Sequence, residues 1–258
     1  MSATAIDAAH AAMESAPQDD AARLRFYERL ADAELFLLLE KEADGDAIEP
    51  RVFPLEDGPV VLAFDREERL AAFAGPSPYA GMSGRSLSEL LAGQGLGLGL
   101  NLEVAPSSTL LPASAVSWLS ETLAHRPSEA AARPDEISAP TGLPEALLTA
   151  LDAKLATAAG LAPMAYLAAV TYEGGARGHL LAFVGVVPGA EPSLARATGE
   201  ALTFSGIEAG ALDVAFFRAS DPVAARLARV GLRFDLPKAE TPVRAAPGSD
   251  PDAPPRLR

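Results

Sequence analysis

The sequence predicts an α+β protein of two small domains, each a mostly antiparallel sheet flanked by helices, followed by a disordered C-terminal tail. Three observations carry this expectation. Stretches with apolar residues at helical spacing alternate with short apolar runs; turn signals of Asp, Gly and Pro separate the runs; and the periodicity stops in the middle of the chain and again at its end. A length of 258 residues fits one to two domains, counting roughly 150 residues to each. Apolar residues at 49% and charged residues at 22% are enough to build a core, so global disorder is excluded.

The first domain is placed at 1–126. Ile6, Ala9, His10 and Met13 share a helical face, and after Pro17 so do Leu24, Tyr27 and Leu30. Leu35–Leu39, Arg51–Leu55 and Val60–Phe64 read as three strands of an antiparallel meander, broken by Asp44-Gly45-Asp46 and Asp57-Gly58-Pro59. Leu70, Phe73 and Ala74 suggest a short helix. Ser86-Leu87-Ser88-Glu89 has the spacing of a capping box, with Leu87, Leu90 and Leu91 facing inward. Leu96–Val104 reads as a glycine-weakened strand, and Pro112 opens a helix striped by Val116, Leu119 and Leu123.

Residues 127–140 are read as the linker because Pro127, Pro134 and Pro140 fall among Ala, Arg, Asp and Glu without periodicity. The second domain, 141–237, begins with a helix after Pro144 striped by Leu147, Leu148, Leu151 and Leu155. A hairpin of Met164–Tyr172 and His179–Val187 follows, joined across Gly174, Gly175 and Gly178, where positive φ is permitted. A helix over Leu194–Leu202, a strand over Leu212–Phe217 and a helix begun by Asp221-Pro222 complete it. Residues 238–258 have almost nothing to bury and read as the disordered tail. Leu102-Glu103-Val104-Ala105 echoes Leu212-Asp213-Val214-Ala215, which suggests a duplicated unit.

Composition bounds function by exclusion. A formal net charge of −14 repels phosphate backbones and anionic lipids, so neither nucleic acid nor membrane is expected as a partner. With no cysteine, thiolate chemistry and disulfides are impossible. Met1–Asp20 lacks the basic and apolar regions of a signal peptide, and the longest apolar runs fall short of the ~18 residues of a membrane span. A cytoplasmic location is expected.

Tests for chemistry fail on residue type and spacing. A dinucleotide loop needs its third glycine three positions after the second and a helix to follow; in the run Gly93, Gly95, Gly97 and Gly99, Leu98 and Leu100 occupy the required places. The run is read as a strand kept small for close backbone approach. Gly81-Met82-Ser83-Gly84-Arg85 puts Arg85 where a nucleophile elbow needs glycine, leaving Ser83 as a turn or cap serine. His10, His125 and His179 have no i, i+4 partner for zinc, and Glu40, Glu42, Asp44 and Asp46 form a solvated turn without the further donors of a calcium loop. No catalytic residue, metal ligand or cofactor is assigned. Trp118 and Phe216-Phe217 are read as packing residues, and the loop containing Tyr79, Ser83 and Arg85 as the first place to look for recognition.

A family resemblance rests on Val61-Leu62-Ala63-Phe64 with Glu68-Arg69-Leu70, then Ser83-Gly84-Arg85-Ser86-Leu87, and Gly97-Leu98-Gly99-Leu100-Asn101 leading to Leu110-Leu111-Pro112. In these the chain resembles the SseB family, named for enhanced serine sensitivity. Ala165-Tyr166-Leu167, the strand to Phe183 and Leu212-Asp213-Val214 resemble that family's C-terminal domain, so the likeness covers the chain apart from linker and tail. One departure is Leu102 after Asn101, where many relatives would carry an Asn-Pro turn. The resemblance implies two α+β domains and no established activity, cofactor or catalytic residue. The expectation is a non-enzymatic interaction or regulatory protein that meets a protein partner through a surface around Tyr79, Ser83, Arg85 and Asn101. The alternatives are a small-molecule sensor or unrecognised hydrolase with a site between the domains, or a scaffold whose halves pack on each other. Partner identity and oligomeric state have no signature in the residues.

Overall fold

Thr4 closes the first turn of the opening helix reciprocally: its hydroxyl accepts from the Asp7 amide and the Asp7 carboxylate accepts from its own amide. In this computed structural model, which describes residues 3–43, 45, 47–124, 134–172, 175–206 and 212–239, that helix is α1 (Ala5–Ser15). It packs on α2 (Asp20–Asp32), which is capped by Asp19 accepting from the Ala21 amide. The chain divides into two units. One takes residues 1–133, 142–151 and 195–212; the other takes 134–141, 152–194 and 213–258.

The first unit is built on β1 (Glu34–Leu38), β2 (Val52–Phe53), β3 (Val60–Phe64), β4 (Tyr79–Ser83), β5 (Gly97–Leu100) and β6 (Thr109–Leu111), in the order β4-β1-β3-β5-β6. The expected meander is corrected. β1 lies directly beside β3, with Phe36 opposite Phe64, and β2 continues along the same side of β3 further on, with Val52 opposite Val61. Burial explains the order: Leu35, Leu37, Val61 and Ala63 are fully buried and need the centre of the sheet, whereas Val52 is half exposed. β5 runs parallel to β3, so this sheet is mixed.

One face of the sheet is covered by α1, α2, α4 (Gly84–Leu91) and α5 (Ala113–Ala124), joining Ile6, Phe26, Leu30, Leu87, Leu91, Val116 and Leu119 to Leu35, Leu37, Val61 and Leu98. The other face carries Leu38, Val60, Leu62 and Phe64 beneath Leu70 of α3 (Glu67–Ala74), with Phe36, Phe53 and Phe73 at its rim. Gly97 and Gly99 stay bare in β5 because a Cβ would fall 2.7 Å from the Leu111 carbonyl oxygen and 2.5 Å from Leu62 Cδ2, respectively. β5 ends at Leu100, short of the expected Val104, because Asn101 and Glu103 turn to φ 50° and 63°.

The cap of α4 is also corrected. Ser83, at the end of β4, accepts from the Ser86 amide at 3.1 Å, so Ser86 lies inside the first turn and caps nothing. The helix starts early because Gly84 fits against α2, its amide donating to the Ala33 carbonyl at 2.9 Å.

The second unit holds β7 (Pro134–Ser138), β8 (Met164–Tyr172), β9 (Arg177–Val184), β10 (Leu212–Phe217) and β11 (Leu232–Asp235), in the order β10-β9-β8-β11 with β7 also on β8, and β8 runs antiparallel to β7, β9 and β11. Helices α6 (Glu145–Ala156), α7 (Glu191–Phe204) and α8 (Pro222–Val230) form where the apolar stripes place them. Tyr166, Ala168, Val170, Leu180 and Ala182 pack with Ala224 and Leu227 of α8. Asp221 leaves the α8 amides alone and accepts instead from the Arg218 amide at 2.8 Å. Residues 134–138 of the stretch read as linker form a strand, and 127–133 lie outside the described residues, as does the tail from 240. The suggested duplication does not hold: Leu102–Ala105 is a turn where Leu212–Ala215 is strand, and the two sheets differ in order and pairing.

A methyl group added at Gly84 would sit 1.8 Å from the Leu30 carbonyl oxygen. Gly84→Ala is therefore expected to lower stability by about 2 kcal/mol or more through forced displacement of α4, read from urea melts followed by circular dichroism.

Candidate functional site

Six polar side chains converge at the start of α1. Arg69 Nη1 donates to Asp7 Oδ1 at 3.1 Å and to Asp65 Oδ1 at 2.7 Å, and its Nη2 donates to Asp7 Oδ2. Thr4 Oγ1 donates to Asp65 Oδ2 at 2.6 Å. Ser107 Oγ donates to Asp7 Oδ1 at 2.6 Å while accepting from Asn101 Nδ2 at 2.9 Å, and Asn101 Oδ1 accepts from the Asp65 amide at 3.0 Å. Asp7 is 4% and Arg69 3% exposed; Asn101 and Ser107 are fully buried.

This cluster is a clasp, and the lone-pair count shows why. Asp7 receives four donors, two from Arg69 and one each from Ser107 and the Thr4 amide, which fills both oxygens of a carboxylate. Burial pushes the Asp7 carboxyl up, but the hydrogen bonds from Arg69, Ser107 and Thr4, with the Arg69 charge, outweigh it and hold the group well below the usual carboxylate range. A carboxylate so occupied neither takes a proton near neutrality nor reaches a substrate. Asn101 suits its position on two counts: asparagine tolerates the left-handed backbone, and its amide supplies one donor and one acceptor at once.

The four residues expected to form one surface are not brought together as one. Asn101 belongs to the clasp and is closed to any partner, which corrects its assignment to a surface. Ser83 is the α4 cap. Arg85 makes a bidentate pair with Glu200 at 2.8 and 2.9 Å and lies 3.6 Å from Asp32. Burial lowers the Arg85 guanidinium, and the Glu200 and Asp32 carboxylates raise it further than that. Beside it, Ser88, Glu89, Ser120 and Arg196 line an open cleft of about 230 Å³. Tyr79, expected in a loop, begins strand β4 at the edge of the sheet; it is 38% exposed and its ring meets Phe36 edge-on at 5.7 Å.

Asp7, Asp65, Arg69 and Ser107 were not singled out by sequence reasoning. Thr4-x-x-Asp7 at a helix start and Asp65 four residues before Arg69 were the available signals, but neither tells a buried link from a solvated one. His10 is buried against the Phe26 ring at 5.6 Å, His179 Nε2 lies 3.2 Å from the Thr141 carbonyl oxygen, and His125, Asp44 and Asp46 lie outside the described residues. Trp118 packs edge-on against Tyr27, and Phe216 stacks on Phe183.

Residues 7–118 match the family model of the SseB protein N-terminal domain. The chain carries an SseB N-terminal domain. Within it lie all of the clasp except Thr4, and the whole of β4. The match covers none of residues 119–258, and no curated protein and no solved structure matches the chain. Among the described residues no helix is long and apolar enough to cross a membrane.

Replacing Asp7 by Asn strips one carboxylate from a buried guanidinium in this SseB domain, a change that costs about 3–5 kcal/mol at neutral pH. Because the folded carboxyl titrates below its unfolded value of about 3.9, the stabilisation is present above that pH and is lost as the pH falls through the folded value. Urea melts at pH 7, 4 and 3 should show the gap between wild type and Asp7→Asn narrowing towards acid; a gap that stays constant counts against the clasp.

Proposed function

We propose that this SseB-domain protein is a non-enzymatic cytoplasmic interaction or regulatory protein that meets a protein partner at the surface around Tyr79, with the second half as its C-terminal-like domain. The observation that supports this most is the open edge of β4, where Tyr79 is exposed beside a strand that pairs with β1 on one side and with nothing on the other among the described residues. The acidic balance disfavours nucleic acid and anionic lipid as the partner. The most deeply buried polar cluster supports the same reading, because its acceptors are consumed in holding elements together.

Cross-linked capture from lysate should recover a partner with wild type and lose it with Tyr79→Ala, while Val230→Ala, an exposed apolar change in the second unit, leaves capture intact. An identical partner set for all three proteins rejects the Tyr79 surface.

The cleft lined by Arg85, Ser88, Glu89, Ser120 and Arg196 favours a second reading, a small-molecule sensor, since cationic, acidic and hydroxyl groups together suit a polar metabolite. A ligand at a hundredfold its Kd adds about 2.7 kcal/mol of stability. A thermal-shift panel of amino acids and nucleotides should then raise the Tm for one class and lose the rise in Arg196→Ala; no rise anywhere in the panel ends this reading.

A further inference from the structure

The geometry points to an extended, lysine- or arginine-bearing peptide as the occupant of the β4 edge, paired to the backbone of Tyr79 and Gly81 with a cationic side chain against Phe36, Tyr79 and Glu34. This rests on the interaction reading above and names the partner's chemistry.

The backbone comes first. The Pro78 carbonyl accepts from the Leu39 amide and the Gly84 amide donates to the Ala33 carbonyl, both at 2.9 Å, in the same register that sets Leu37 opposite Ala80. In an antiparallel ladder alternate residues bond to the same neighbour, so Pro78, Ala80, Met82 and Gly84 face β1. The amides and carbonyls of Tyr79 and Gly81 therefore point out of the sheet, the template on which an added strand forms.

The side chains supply selectivity. Ala80 and Met82 turn to the core, leaving Tyr79 and Gly81 on the face they share with Phe36. Gly81 opens a gap in that face: where its Cβ would sit, the nearest atoms are Glu34 Oε1 at 3.8 Å and Phe36 Cε1 at 3.9 Å. An aromatic ring and a carboxylate are thus presented side by side, the surroundings that favour an ammonium or guanidinium. At the other end of the strand the Tyr79 phenol is raised by its hydrogen bond to Glu67, by burial and by the Glu67 and Glu42 charges, which marks the same sign of field. The nearby cations are already engaged, Lys41 with Glu49 at 2.7 Å and Arg51 with Glu40 at 3.5 Å.

A second copy of this chain is disfavoured at the same edge. Pairing β4 with β4 would bring Glu34, Glu42 and Glu67 of two chains of net charge −14 together.

The test titrates fluorescein-labelled peptides of alternating Lys and Val, or alternating Glu and Val, into the full chain at physiological salt, read by anisotropy. The Lys-Val peptide should bind saturably and the Glu-Val peptide should not. Glu34→Gln/Glu67→Gln and Tyr79→Ala should each weaken binding about tenfold, and Gly81→Pro, which removes one outward amide, should weaken it at least as much. Glu14→Gln/Asp20→Gln removes as much charge elsewhere and should leave the affinity within about twofold. Circular dichroism melts confirm that each variant is folded. Absence of saturable binding, equal binding of both peptides, or equal weakening by the two double variants overturns the proposal, as does a Tyr79-dependent dimer in sedimentation. If the peptide fails while capture from lysate still depends on Tyr79, the partner chemistry alone is wrong; if both fail, the interaction role falls too.

Discussion

Arg69 is the group on which the first unit depends. A guanidinium withdrawn from water carries a desolvation cost of several kcal/mol, and it is tolerated only where carboxylates and hydrogen bonds meet it with good geometry. Asp7 arrives from α1, 62 residues away, and Asp65 from the turn just before α3. Ser107 then reaches Asp7 across 100 residues and, through Asn101, fixes the end of β5. One buried charge thereby sets where a helix, two strand ends and a loop must stand. Asp7 serves twice, as cap partner of its own helix and as counter-ion, so the first turn of α1 and the sheet are secured by the same carboxylate.

That arrangement separates support from contact. The side of the sheet beneath α1, α2, α4 and α5 is closed by apolar packing. The opposite side is covered more thinly, by the eight residues of α3, and its far edge ends in β4. A rigid sheet that leaves one side of β4 open is well suited to holding another chain in fixed register, because the backbone that would receive it is already ordered by β1.

Much of the fold was legible. Val60–Phe64, Leu212–Phe217 and Met164–Tyr172 occur as strands with the expected bounds, because short apolar runs between turn signals have few other solutions. Pairing was less legible. Periodicity shows that Leu35 and Leu37 are buried but not that β3, rather than β2, lies beside them, and it gives no hint that β5 runs parallel to β3. Thr109–Leu111 is too short to announce itself as a strand. The clasp was illegible for a chemical reason: Asp65 and Arg69 have the spacing of any exposed ion pair, and only burial by chain distant in sequence makes them structural. Asn101 was misplaced on the surface because a polar residue at a turn is normally solvated, whereas here its left-handed backbone turns it inward. Tyr79 was expected in a loop because Pro76 and Pro78 precede it, yet a proline just outside a strand leaves the ladder intact.

The span of the clasp also governs how the protein is made. A nascent chain leaves the ribosome from its N-terminus, so α1 and α2 emerge long before Arg69, and Ser107 later still. Until then the Asp7 carboxylate has no counter-ion and the opening helices have only each other to pack on. The parallel strand pair adds to the delay, since Val60 must wait for Gly97 and distant contacts form slowly. Synthesis therefore passes through a period in which the apolar faces of the first hundred or so residues are bare, about 20 s at the slow end of translation rates, and a chaperone that shields such faces has its longest opportunity there.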